Sequence, residues 1–102
     1  FICFRYTLTN EALAIERIGN TEKTIAAIKL SDILLIQKTG AREKRRERNV
    51  RAALPTMKNT IQLKARIDGK EICYIIGPSD AFMQQLETAW QRAMSTQTMK
   101  QD

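Results

Sequence analysis

"IQLKARIDGKEICYIIGPSDAFMQQLETAWQRAM", residues 61–94, changes its hydrophobic period partway along, and that change decides the fold. Up to Ile76 apolar and polar residues alternate around Asp68-Gly69, the pair that best tolerates the positive φ angles of a type I′ turn. Folding there sets Arg66 across from Glu71, Ala65 from Ile72, Leu63 from Tyr74 and Ile61 from Ile76. Opposite charges then meet on one face and apolar residues on the other. The same register puts Cys73 opposite Lys64, on the polar side and away from the main core. After Pro78 and Ser79-Asp80, good residues for a helix N-terminus, Phe82, Leu86, Ala89, Trp90 and Ala93 recur at spacings of three and four. That spacing predicts an amphipathic helix of about four turns. Past Ser95 no core pattern remains, so residues 96–102 are expected to fray.

Upstream, Phe4, Tyr6 and Leu8 alternate with Arg5 and Thr7, the period of a half-buried strand. A turn at Asn10-Glu11 would set Leu8 opposite Leu13 and Tyr6 opposite Ile15, again with every apolar partner on one face. "GNTE" (19–22) is a second turn signal ahead of "TIAAIKL", and Ser31-Asp32 a third. "ILLIQK" (33–38) is apolar on both faces and reads as a more fully buried strand. The competing reading places it at an open sheet edge, where a partner strand could add.

Between the two halves lies "AREKRRERNVR" (41–51), with Arg42, Lys44, Arg45, Arg46, Arg48 and Arg51 against Glu43 and Glu47. Its net +4 makes up most of the formal charge of +6, so the remaining chain is nearly balanced. A local excess of this kind can attract phosphates or acidic partners. Only Val50 and Leu54, with small alanines, could anchor it. The expectation is a protruding, solvated loop over 40–50, with "VRAAL" (50–54) a short strand. It lacks the interleaved aromatics that stack nucleic-acid bases, so specific nucleic-acid binding is not expected. Its charge predicts weak, salt-sensitive contact with anionic membrane surfaces, each basic group there contributing ~1 kcal/mol. The alternative is a true anion site for lipid headgroups or nucleic-acid phosphates.

The 102 residues suffice for one domain, 1–95, followed by the short tail. There is no histidine and no Cys-x-x-Cys spacing, and Cys3 and Cys73 make no disulfide framework. No nucleophile has a base beside it, the glycines occur singly, and Phe82 and Trp90 lie on an apolar helix face. No enzyme, metal or cofactor is expected. No apolar run approaches the ~20 residues that span a bilayer.

Strands closed by one C-terminal amphipathic helix follow the order of a pleckstrin-homology-like (PH-like) domain. "YTLTNEALAIER" resembles the first hairpin of the bacterial PH-like family. "IKLSDILLIQ" is similar to its Ile-x-Leu-Ser-Asp-Ile segment, and "DGKEICYIIGPSDAFMQQLETAW" to its last hairpin and capping helix. The resemblance implies a mainly β fold, a barrel of two antiparallel sheets capped by an amphipathic α-helix. It also implies a non-catalytic interaction or scaffold module, cytoplasmic, with a membrane-associated parent protein. A protein partner or a second copy would bind at an exposed sheet edge. The first hairpin departs from the lipid-reading members of the family: only Arg5 and Arg17 are basic there and its turn carries Glu11. Inositide recognition at that turn is not expected.

Overall fold

Both hairpins form in the register that the alternation predicts. The computed structural model describes residues 2–38, 48–54 and 59–100, without the side chains of 48, 49 and 98–100. Strand β1 (Cys3–Leu8) pairs with β2 (Ala12–Ile18), Leu8 against Leu13 and Tyr6 against Ile15. Strand β3 (Glu22–Lys29) adds on the other side of β2, completing a three-stranded antiparallel sheet. A short 3₁₀ turn, Leu30–Asp32, leads into β4 (Ile33–Lys38). Strand β5 (Arg48–Ala52) follows, then β6 (Ile61–Ile67) and β7 (Lys70–Ile76). Asp68 at φ 52° and Gly69 at φ 78° form the β6–β7 turn, as a type I′ geometry requires. Arg66 and Glu71 meet across it at 3.1 Å.

The second sheet has the order β4-β6-β7-β5, and it is not wholly antiparallel as expected. Strand β5 runs parallel to β7, with Val50 beside Tyr74 and Ala52 beside Ile76. The physical reason is alternation within a basic stretch. Val50 and Ala52 join the core face beside Tyr74 and Ile76, while Asn49 and Arg51 occupy the other register positions. The strand expected at 50–54 therefore begins at Arg48, where a loop was expected, and ends at Ala52.

One core joins both sheets and the helix. Leu13, Ile15, Ala26 and Ile28 come from the first sheet, Ile33, Leu63, Tyr74 and Ile76 from the second, and Leu30 and Leu86 from the segments that cap them. The helix α1 (Asp80–Lys100) starts at Ser79, whose hydroxyl accepts the Phe82 N–H at 3.2 Å. Leu86 is fully buried, with Phe82, Met83, Ala89, Trp90 and Ala93 packed around the core. Trp90 Nε1–H donates to the Ile33 carbonyl at 3.0 Å, fixing the helix to the start of β4. The helix runs 21 residues, past the expected four turns, because no glycine or proline in "STQTMK" stops it. Among the described residues no helix is long and apolar enough to cross a membrane.

Candidate interaction edge

Among the described residues β4 lies at the edge of its sheet, hydrogen-bonded to β6 on one side. Of its apolar residues only Ile33 is fully buried. Leu34 and Leu35 are 41% and 37% exposed, and Ile36 is half-buried. This corrects the expectation of a more fully buried strand. The apolar run persists on both faces, but the neighbour that would cover it is missing among the described residues. A shift in the β4–β6 register falls between Ile33 and Leu35, so Leu34 is the extra residue of a bulge there.

Beside β4 an open cleft of ≈ 410 Å³ separates its end from the first two turns of α1. Ile36, Lys38 and Ile61 line one wall; Met83, Asp80 and Glu87 line the other. Asp80, Met83 and Glu87 stand three and four residues apart, one stripe of the helix. The stronger Phe82–Leu86–Ala93 pattern masks that stripe in the sequence, because it explains the helix by itself. The 80/83/87 spacing is nonetheless legible beside it. Gln37 also lines the cleft, and its amide donates to Gln62 at 3.2 Å, which ties β4 to β6.

The residues expected to bind anions divide differently. Arg42, Lys44, Arg45 and Arg46 lie outside the described residues. The backbone of Arg48 is in β5. Arg51 is exposed, and its guanidinium donates to the Leu54 carbonyl at 3.1 Å, so one of its donors closes its own strand end. Of the six, Arg51 alone has a described side chain, and the rest of that expected site lies outside the described residues.

Cys73 stands opposite Lys64 and outside the main core cluster, as expected, yet it is fully buried. Its register partners are Lys64 on β6 and Asn49 on β5, while Ile75 beside it is flanked by Gln62 and Arg51. A central strand has neighbours on both sides, and long polar side chains lay their aliphatic stems over what lies between them.

The polar contacts of Tyr6 are structural. The Tyr6 hydroxyl donates to the Ala52 carbonyl and accepts the Gly77 N–H at 3.0 Å, so β1 is clasped to the ends of β5 and β7. Its ring lies 6.1 Å from that of Phe82. Burial raises the Tyr6 pKa above its ordinary value, with the Gly77 hydrogen bond and the Arg51 charge opposing that rise. Among the described residues no group of three or more His, Cys, Asp or Glu is placed to hold a metal ion. No protein-family model, no curated protein and no solved structure matches this chain.

Proposed function

We propose that this chain is a non-catalytic PH-like interaction module whose β4 edge takes an extended segment of a partner protein as an added strand. The observation that carries this reading is the pair of exposed leucines, Leu34 and Leu35, on a strand with one side open among the described residues. An open edge offers main-chain donors and acceptors, which supply affinity, while adjacent pockets select side chains. Here the pocket is the cleft between β4 and α1, and its chemistry specifies the occupant. Ile36, Ile61 and Met83 fit an apolar side chain, and Asp80 and Glu87 fit a lysine or arginine next to it. The partner segment is therefore an extended peptide alternating apolar and basic residues. Strand content and the C-terminal helix are compatible with the PH-like family, whereas the parallel β5–β7 pair departs from the two antiparallel sheets that the resemblance implies.

Panning random displayed peptides on the immobilised domain tests the reading. Enriched sequences should alternate apolar and basic residues and bind the Leu34→Lys/Leu35→Lys variant at least tenfold more weakly, ~1.4 kcal/mol. The variant should keep its fold because both side chains face solvent. Enriched peptides that bind wild type and variant equally, or no enrichment, would refute the reading. A concentration-dependent dimer that the two substitutions dissolve would instead make a second copy the occupant, against the peptide reading.

A further inference from the structure

The first sheet carries a separate feature at the opposite end of β2 from the Asn10-Glu11 turn. Two acid–base dipeptides flank the β2–β3 turn, Glu16-Arg17 before it and Glu22-Lys23 after it. Successive residues of a strand point to opposite faces, so both acids go to one side and both bases to the other. The register confirms the sorting: Arg17 stands directly across from Lys23. On the acidic face Arg5 reaches Glu16 at 3.8 Å and Glu22 at 3.5 Å, so those carboxylates are already engaged there. Arg17 and Lys23 have no ion pair or hydrogen bond with another described residue. Like charges directly opposite on a sheet repel each other and destabilise it.

These two cations line an open cleft of ≈ 340 Å³ with Ile2, Gly19, Asn20 and Thr21. The Gly19 N–H is used to close the turn on the Thr21 carbonyl at 3.2 Å, leaving the Asn20 amide and Thr21 hydroxyl as the turn's side-chain donors. A guanidinium, an ammonium, an amide and a hydroxyl around one concavity is a donor set for an oxyanion with several acceptor oxygens. We propose that Arg17 and Lys23, facing each other across β2 and β3 beside the Gly19–Thr21 turn, bind the phosphate group of a phosphomonoester. A bound phosphate would relieve their mutual repulsion, which is why an unpaired cationic couple is tolerated at this position. The phosphate can belong to a soluble metabolite or to a lipid headgroup, and the chemistry recognised is the same.

The test follows amide chemical shifts while the domain is titrated with inorganic phosphate and glycerol 3-phosphate. Phosphatidic acid in phosphatidylcholine vesicles forms a parallel arm, and all three are run near physiological ionic strength, where the Debye length is about 8 Å. Shifts should centre on Gly19–Lys23 and saturate. Arg17→Gln/Lys23→Gln should weaken binding at least tenfold, while Arg5→Gln on the other face and the Arg45/Arg46/Arg48→Ala triple variant should leave it unchanged. Saturation by the soluble ligands would assign a metabolite, and saturation with vesicles alone a headgroup. A fold control accompanies these arms: Lys23→Glu replaces repulsion with attraction, so it should raise the melting temperature without ligand and abolish the phosphate response. Saturable binding that survives in the double glutamine variant, shifts centred elsewhere, or no saturable binding to any probe would overturn the proposal.

Discussion

Strands β4 and β7 look alike as text and behave as opposites in the fold. "ILLIQK" and "KEICYII" are both apolar at neighbouring positions, hence on both faces. In β7 four consecutive residues, Cys73 to Ile76, are buried; in β4 only the first residue is. The difference is the number of neighbours. Among the described residues strand β7 has β6 on one side and β5 on the other, whereas β4 has β6 alone. An apolar run reports that both faces of a strand can be covered. It does not report whether anything in the same chain covers them.

The strongest way to break this contrast is to shorten a residue on each strand. Ile75→Ala removes a side chain that is 2% exposed and should cost ~2–5 kcal/mol in denaturant unfolding. An equal loss on Leu34→Ala would show that β4 is as well packed as β7. Next in size is Trp90→Ala, expected to cost ~2–4 kcal/mol, below a fully buried tryptophan because the ring is only half-buried. Since its indole holds the Ile33 carbonyl, amide exchange should accelerate in β4 more than in β7. Uniform acceleration would mean the helix does not anchor that strand.

Tyr6→Phe sharpens the comparison from the other side, because the hydroxyl pins the ends of β5 and β7, as the Trp90 indole pins the start of β4. Losing it leaves the Ala52 carbonyl and Gly77 N–H without that partner, a cost of ~1–3 kcal/mol. Burial raises the folded-state pKa, so folding favours the protonated hydroxyl. Its contribution is fully present below the unfolded value of ~10 and is lost as pH rises through the folded one. Wild type should therefore lose stability more steeply in the alkaline limb than Tyr6→Phe, measured by chemical denaturation across that range. Parallel slopes would remove Tyr6 as the cause. The smallest expected effect is Leu34→Ala itself, within ~0.5 kcal/mol of wild type.

The hairpins were legible because a two-residue turn and strict alternation fix the register locally. Leu8 could meet Leu13 on the apolar face, and Arg66 could meet Glu71 across Asp68-Gly69, without knowledge of the rest of the chain. Strand β5 was half-hidden. Its Val50 and Ala52 alternate correctly, but Arg48 and Arg51 dominate the composition, and its partner β7 lies beyond the intervening β6. The burial of Cys73 and the exposure of Leu34 both follow from that nonlocal pairing, which no local pattern encodes. Of the basic site residues, the charge was plain in the sequence while the arrangement was not. The sorting of Arg17 and Lys23 onto one face was available from the Glu-Arg and Glu-Lys order, once a turn between them was accepted.

The central claim is that β4 is an open edge that accepts a strand. It is tested most directly by residue-resolved amide hydrogen exchange on the monomeric domain, alone and saturated with a selected peptide. In the free protein, amides of β4 should alternate between slow exchange, where they bond to β6, and fast exchange, where they face outward. β7 should be protected from Ile72 to Ile76, where it has a neighbour on both sides. With peptide bound, the fast set in β4 should become protected and β7 should not change. Protection of every β4 amide in the free monomer, or a fast set that stays fast with peptide bound, would contradict the account.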